Sequence, residues 1–558
     1  MRALRPILIG SLVSALVVGA VAPSAGADQV TADGITWLTD QQRADGGFEL
    51  AGFPGFETPD AILAIAADAQ TTPDWDEAAA RAAVEAVVTD PGGLSALDWI
   101  DTWLDGTLPN PLPPPGTVGP PAAGQQAKLI LQVALPLGLD PVAFDPAVDG
   151  DPVDLTAGLD SIAPAVFNSF VFGRMAEAGR GENVHQTDLQ AICEAAKTVG
   201  GGWSYDADPA GPNGADMDTT GFAVMALVAA GVDPTDPVLE AAAAFVVDGQ
   251  VTTPVEDEGS WLSFGSPDPN ATALAMLAVT ALGSGLDDLG HDPVAWLQDQ
   301  QLAAGQPDPG DDGRFVSPND GFGVSTFATS QALQALFLDD ASADWLPLAA
   351  GSPDERRCLP ESTYSDVPAG AWYDDGARWV DDTGIVAGVA GGLQPSGNVR
   401  RSQAASWLNE VFGDLGGDPN PYTDVPDGAW YERGVDFVGS APNGTIAQGF
   451  GSQFRPRVKL NRAQAVSWLY AAAGSPDVSN LAAHGLTDVG PSAWFGDAVT
   501  WAQANGIVLG FEDGTFRGDG NVKRAQLAQW MFNLVATPEA WPQGVPLLPP
   551  TTLFSPFP

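Results

Sequence analysis

Three short basic segments contain the residue types that hold an anion. They are Arg400-Arg401-Ser402-Gln403, Asn461-Arg462-Ala463-Gln464 and Lys523-Arg524-Ala525-Gln526. Each opens an apolar run of helical period, so Arg401, Arg462 and Arg524 fall in the first turn of a helix. A cation there opposes the helix dipole, at about 0.3–1 kcal/mol. A guanidinium beside the unpaired N–H groups of a helix start suits an anionic ligand. Gln403, Gln464 and Gln526 stand where the acceptor of a capping box belongs. The competing use of these arginines is an internal ion pair, with Asp366, Asp424 and Asp488 as the matching carboxylates.

Other groups with catalytic or ligating potential are few. The chain holds 3 His and 2 Cys in 558 residues. His185, His291 and His484 are widely spaced, which excludes a His-rich metal centre. Cys193 and Cys358 either form one disulfide or remain two buried thiols; a disulfide framework is excluded. Asp218, in Asp216-Met217-Asp218-Thr219, has two uses open to it. It is a suitable N-cap, as are Thr58, Asn270 and Ser325 at comparable helix starts, each worth about 1 kcal/mol. With a pKa raised by burial it would instead serve as a general acid. Carboxylates also crowd the loops around Asp206, Asp208, Asp308, Asp311 and Asp312. None follows EF-hand spacing, so solvated loops are expected, and calcium is the alternative. No other metal or cofactor is implied.

These groups are carried by repeats. In the first part, Trp37-Leu38-Thr39-Asp40-Gln41-Gln42 precedes Asp45-Gly46-Gly47-Phe48, and Trp296-Leu297-Gln298-Asp299-Gln300-Gln301 precedes Asp312-Gly313-Arg314-Phe315. Gly201-Gly202-Trp203 and Gly259-Ser260-Trp261 lie between them. An apolar helix is expected after each turn, over Asp60–Ala69, Thr219–Ala230, Ala271–Leu282 and Thr326–Phe337. Gln125–Leu137, Pro164–Ala178 and Thr187–Thr198 also read as helical, and Glu77–Val88 as a more mixed outer helix. A period near 50 to 60 residues with two helices per unit predicts stacked helical repeats. These turns resemble the QW-type repeats of the terpene cyclase and protein prenyltransferase superfamily over about residues 28–351. The resemblance implies an α/α toroid with inner helices around a central cavity. It does not imply one activity, since such folds host many. Zinc ligands and a thioester motif are absent. A class II cyclase would use the middle Asp of an Asp-x-Asp-Asp run, here Asp218, but Thr219 replaces the last Asp. A glycan lyase would draw on His185 or His291, and a corrinoid carrier on cavity shape.

The second part repeats three times. Its units open at Tyr364-Ser365-Asp366-Val367, Tyr422-Thr423-Asp424-Val425 and Leu486-Thr487-Asp488-Val489. Trp372, Trp430 and Trp494 follow, then a helix, a Gly-rich turn and the basic segment. Trp407, Trp468 and Trp530 each fall six residues after the central arginine. The units resemble S-layer homology (SLH) repeats, most closely in Gly510-Phe511-Glu512-Asp513-Gly514-Thr515-Phe516. The resemblance implies a pseudo-threefold helical prong that binds anionic cell-wall polysaccharide, often pyruvylated, through Arg401, Arg462 and Arg524. The family's Thr and Glu around each arginine are replaced here. Trp372, Trp430 and Trp494 are expected in the core before serving as sugar platforms, and are kept as candidate polysaccharide-binding residues.

Charge separates the two parts. Residues 28–353 hold 7 basic and 49 acidic side chains, and residues 354–558 hold 13 and 22. The net charge of −49 excludes nucleic-acid binding by phosphate neutralisation. A basic start, an apolar run from Ile7 to Val21 and Ala25-Gly26-Ala27 read as a signal peptide over 1–27, leaving no membrane span. The expected organisation is all-α: a toroid over 28–351, a linker over 352–363, SLH-like repeats over 364–413, 422–474 and 486–536, and a Pro-rich tail over 537–558. The expected function is a secreted cell-surface protein held non-covalently on wall polymer, displaying the toroid as a binding or scaffold module. The alternatives are a toroid enzyme or a small-ligand carrier.

Overall fold

The structure, a computed structural model, describes residues 27–49, 55–70, 75–110, 116–182, 184–303, 310–318, 326–337, 358–360, 362–368, 371–412, 420–440, 446–490, 492–511 and 513–536. The expected leader lies outside them apart from Ala27, and the expected tail lies outside them altogether.

Apolar runs long enough for three turns, broken by Gly and Asp, give helices through the first unit. In chain order they are α1 (Ala27–Asp40), α2 (Thr58–Asp68), α3 (Glu77–Ala86), α4 (Ala96–Leu104), α5 (Ala123–Leu129) and α6 (Phe167–Gly179). Then come α7 (Gln186–Glu194), α8 (Met217–Ala229), α9 (Pro237–Asp248), α10 (Pro269–Ala281), α11 (Pro293–Asp299) and α12 (Thr326–Phe337). Helix α5 continues into a π-helical turn, Ile130–Ala134. Helices α2, α5, α6, α8, α10 and α12 pack in a ring, with α12 closing on α2. Helices α1, α3, α7, α9 and α11 pack against that ring. This is an α/α toroid. Two antiparallel pairs of two-residue strands, Pro109–Asn110 with Gly116–Thr117 and Leu262–Ser263 with Ser266–Pro267, interrupt it.

The Gly-aromatic turns hold the ring together through polar bonds. The backbone N–H of Phe48, Trp203, Trp261 and Phe315 donates to the hydroxyl of Thr58, Thr220, Thr272 and Thr329 on an inner helix. The indole N–H of Trp203 donates to Ile192 O at 2.7 Å, and that of Trp261 to Val246 O at 2.6 Å. One aromatic residue thus joins the end of an outer helix to the start of an inner one. Each such indole removes roughly 200 Å² from water, worth about 5 kcal/mol before conformational costs. Gly202 has φ +74°, and a Cβ there would fall 2.8 Å from the Thr220 hydroxyl, so no other residue fits. The turn glutamines reach further. Gln42 donates to Val87 O, Gln250 to His291 O, and Gln301 to Val30 O at 2.7 Å. The last of these ties the final turn to the first helix.

Helix starts differ from the expected caps. Asp216 caps α8 through Thr219 N, and Asp268 caps α10 through Asn270 N and Ala271 N. Asp218 and Asn270 lie within the first turn, and Thr58 is the buried acceptor for Phe48. The helices begin earlier because an Asp cap stands just before Met217 and Pro269, and proline fits a first turn. Ser325 lies outside the described residues.

The second unit contains α13 (Asp374–Asp382), α14 (Arg401–Phe412), α15 (Glu432–Ser440), α16 (Arg462–Ala472), α17 (Gly496–Ala504) and α18 (Arg524–Val535). Its helices pair across repeats: α14 with α15, α16 with α17, and α18 with α13. Gly376 lets α13 approach α18, where an added Cβ would meet Gln529 Cα at 2.6 Å. The hydrophobic cores are separate; the first ends at Cys358 and the second begins at Leu359. No helix of the described residues is long and apolar enough to cross a membrane.

Cys193 on α7 is bonded to Cys358, 165 residues later in the chain. Gln190 and Leu359 exchange two hydrogen bonds beside it, and Glu194 pairs with Arg378 of α13 at 3.1 Å. Closing so long a loop restricts the unfolded chain by on the order of 5 kcal/mol in the chain-entropy picture. Denaturing thiol titration of the oxidised protein is therefore expected to find no free thiol, and reduction to lower the thermal midpoint. Two titratable thiols would refute the bond.

Candidate functional site

The three basic segments meet at the axis of the second unit. Val399 N donates to Val522 O, Val522 N to Leu460 O, and Leu460 N to Val399 O, at 2.9–3.0 Å. This closed triangle of buried apolar residues sets the residues two positions on, Arg401, Arg462 and Arg524, at equivalent places. Each is the first residue of its helix, as the spacing predicts.

Each arginine reaches into the following repeat. Arg401 Nε donates to Phe454 O at 2.9 Å and its Nη2 to Gln448 O at 2.9 Å. Arg462 Nε donates to Phe516 O at 2.7 Å. Arg524 Nε donates to Leu393 O and its Nη2 to Ala387 O at 3.2 Å, which returns to the first repeat. Their guanidinium groups lie over Trp468, Trp530 and Trp407 at 4.9, 4.8 and 5.1 Å. Arg401 is only 1% exposed.

The alternative ion pairs of these arginines, with Asp366, Asp424 and Asp488, do not form within salt-bridge distance. These carboxylates instead accept backbone N–H groups within their own repeats: Leu393 and Gln394, Phe454 and Arg455, Phe516 and Arg517. The peptides of Leu393, Phe454 and Phe516 are therefore held from both sides, by an Asp at the N–H and an Arg at the C=O. The pairing holds Gln394, Arg455 and Arg517 at φ 55–60°, a left-handed conformation that side chains rarely adopt. Partial burial works against the Asp488 charge, but the bonds from Phe516 and Arg517 outweigh it and keep its pKa below the usual carboxylate range.

Burial pushes Arg401 and Arg462 down to about 10, and Arg524 down in the same direction. All three stay charged at neutral pH. Carbonyl dipoles and indole faces offset part of the lost hydration, and Asp424, Asp488 and Asp366 support the charge from beyond salt-bridge distance. A second cation lies close by in two repeats. Arg455 sits 4.2 Å over Phe450, whose ring Arg401 also faces at 5.2 Å. Arg517 sits 3.9 Å over Phe511, which Arg462 faces at 4.6 Å. Arg455 and Arg517 were not singled out from the sequence. The Phe-Arg pair recurring in two of three turns was the available signal.

Trp372, Trp430 and Trp494 are not in the core. They are 64%, 68% and 69% exposed, each edge-on to the next aromatic residue, Tyr373, Tyr431 and Phe495. Alternation places the second ring inward and leaves the indole outside. Trp372 lines a groove of about 640 Å³ with Arg462, Phe511, Gln526 and Trp530. Indole faces, planar amides and a guanidinium are the groups that bind acidic sugars. The glutamines Gln403, Gln464 and Gln526 accept from the backbone N–H of Arg400, Asn461 and Lys523, completing that half of a capping box.

Within the toroid, a pocket of about 50 Å³ is lined by Leu63, Gln132, Phe172, Met225, Leu274 and Gln331 from α2, the π turn, α6, α8, α10 and α12. Buried Asp60 accepts from Lys128 and from Gln132 at 2.7 Å, while its backbone O accepts from Gln334 at 3.0 Å. These bonds stitch α2 to α5, the π turn and α12. In the acidic loops, Asp206 pairs with Asn213 and Lys197, and Asp208 accepts from Ala210 N. A group of carboxylates whose oxygens converge is Asp101, Asp145 and Asp149, which the sequence reading did not single out.

Asp218 is pushed up to about 7 by burial, with Asp216 and Asp268 adding repulsion, and its Oδ1 has no partner. In the unfolded chain the carboxyl ionises near its ordinary value of 3.8. Ionisation above that value thus favours unfolding, until the folded carboxyl also ionises near 7. Asp218→Asn is expected to raise the thermal midpoint at pH 8 and leave it unchanged at pH 4. A lowered midpoint at pH 8 would mean that the ionised form makes a favourable contact.

The sequence profile of the S-layer homology domain matches residues 363–405 and 476–528. The S-layer protein sap of Bacillus anthracis is 27% identical over 112 residues, 20% of this chain and 13% of that protein. An S-layer protein of Bacillus thuringiensis subsp. finitimus is 23% identical over 172 residues, 30% of this chain and 21% of that one. The chain spans about a fifth or less of the length of these curated relatives. Among solved structures, a type II terpene cyclase, MstE from Scytonema, aligns with TM-score 0.40 at 14% identity, covering 58% of this chain and 100% of that one. A glycosidase in complex with glucose aligns with TM-score 0.37 at 15% identity, covering 57% and 98%. Residues 422–474, between the two matched stretches, repeat the same Asp, Trp and Arg contacts. The chain therefore carries an S-layer homology domain, with its three repeats interlaced, behind an α/α toroid.

Proposed function

We propose that the SLH domain tethers this chain non-covalently to anionic cell-wall polysaccharide, and that the toroid is displayed at the cell surface as a scaffold or protein-binding module. The observation that carries this reading is the arginine arrangement. Three buried guanidinium groups have no carboxylate within salt-bridge distance among the described residues, and two have a second arginine on the same aromatic ring, Arg455 and Arg517, the latter paired with Asp513 at 2.7 Å. Such a site is completed by an anion from outside. Exposed Trp372, Trp430 and Trp494 supply the faces on which sugar rings stack. The S-layer proteins similar to this domain favour a location at the cell surface or wall.

Arg401, Arg462 and Arg524 also join the repeats, so their removal would disturb the fold along with the site. Arg455 and Arg517 are exposed and separate the two roles. Retention of the full chain on purified cell walls is the measurement. Arg455→Ala with Arg517→Ala is expected to weaken retention about tenfold and make it less salt-sensitive, with stability changed by under ~0.5 kcal/mol. Trp372→Ala with Trp430→Ala and Trp494→Ala is expected to weaken it at least as much. Undiminished retention by both variants would end the tethering proposal.

A further inference from the structure

We propose that the groove holding Arg462 is a composite site, walled on one side by the SLH domain and on another by the toroid, and that His185 and Thr187 of the toroid help select the acidic sugar that enters it. The proposal rests on the tethering role above and adds the toroid to the recognition machinery.

The groove of about 640 Å³ draws on three parts of the chain that are remote in sequence. Arg462 and Phe511 come from the second and third repeats, Trp372 and Asp375 from the first, and His185 and Thr187 from the start of α7. Its groups divide by chemistry. Arg462 spends its Nε on Phe516 O, and its terminal nitrogens make no hydrogen bond among the described residues. They suit a carboxylate or ketal acid. Trp372 presents an indole face to a sugar ring. His185 and Thr187 are exposed and bring an imidazole and a hydroxyl, each able to donate to or accept from a sugar hydroxyl. Asp375 repels a second acid group. The ligand is thereby oriented, with its acid toward Arg462 and its neutral hydroxyls toward Asp375 and the toroid.

The toroid wall is held firmly. Helix α7 carries His185 just before its first residue and Cys193 near its last, about 12 Å apart at 1.5 Å per residue. The far end is joined to the second core by two ties, the Gln190–Leu359 exchange and the Glu194–Arg378 pair, while the Cys193–Cys358 bond fixes the chain to the toroid one residue before Leu359. Burial and Glu194 push Asp375 up to about 6, with Arg378 opposing, a sign of how closely the two units meet beside the groove. A wall fixed in advance gives up little freedom when a ligand enters.

The test uses the oxidised full chain and short acidic polysaccharide fragments released from the producing organism's cell walls, with binding followed by calorimetry. His185→Ala with Thr187→Ala is expected to weaken one class of sites about five- to twentyfold, at an unchanged melting midpoint. Thr187→Trp, which fills the groove from the toroid side, is expected to weaken the same class. If Trp372→Ala weakens binding while both toroid variants match the wild type, the composite site is wrong and tethering stands. If the wild type binds no fragment at all, the tethering role fails, and the composite site with it.

Discussion

A guanidinium group resists leaving water, yet three do so at the centre of the SLH domain. An isolated buried ion costs several kcal/mol even after relaxation. Here the compensation comes from a backbone carbonyl and a tryptophan face, both supplied by the next repeat. No repeat can satisfy its own arginine. The first depends on the second, the second on the third, and the third on the first. The helix pairs follow the same order, since α14, α16 and α18 each pack on the opening helix of the next unit. The domain is therefore cooperative by construction. Carbonyl dipoles lower the cost of the charge without cancelling it, which is the property the tethering proposal uses.

The toroid solves the closure problem with neutral groups. Threonine hydroxyls, turn glutamines and indole N–H groups join neighbouring repeats, and Gln301 joins the last turn to the first helix. Inside the ring, Asp60 with Lys128, Gln132 and Gln334 performs the same closure in a buried cluster. A ring closed on both levels is stiff. The disulfide holds the chain to the toroid up to Cys358, and the Glu194–Arg378 pair carries the contact on to α13 of the SLH domain. Whatever orientation the SLH domain takes on a surface, the outer helix α7 takes as well.

Much of this was legible in the residues. The repeat count and the position of each arginine at a helix start follow from spacing, and the toroid and prong from the family resemblances that the repeated turns carry. What the arginines bind did not follow, because carbonyl acceptors carry no side-chain signature. Asp366, Asp424 and Asp488 matched the arginines in number and spacing, but they serve the backbone N–H groups of the very peptides whose carbonyls the arginines use. The tryptophans misled for a different reason. A Trp-Tyr or Trp-Phe pair in an extended turn must put one ring out, and sequence does not say which. The capping residues were missed by about one half-turn, since both Asp216 and Asp218 are good caps and only the packed helix start separates them. The profile match skips residues 422–474, although they make the same contacts.

Net charge poses the remaining question, since a chain at −49 is proposed to hold an anionic polymer. The charge is not uniform: 49 of the 71 acidic side chains lie in residues 28–353. At physiological ionic strength an exposed charge is felt over about 8 Å. The anion sites therefore sense their own arginines first, and the toroid's acidity mainly where the toroid comes near. Repulsion between an acidic toroid and an acidic wall works at longer range only in dilute salt, and it pushes the toroid outward. The same asymmetry that keeps the arginines in the SLH domain thus helps decide which end of the molecule faces the polymer. In the proposed groove beside α7 the toroid contributes a histidine and a threonine, with Asp375 of the SLH domain the carboxylate that faces them.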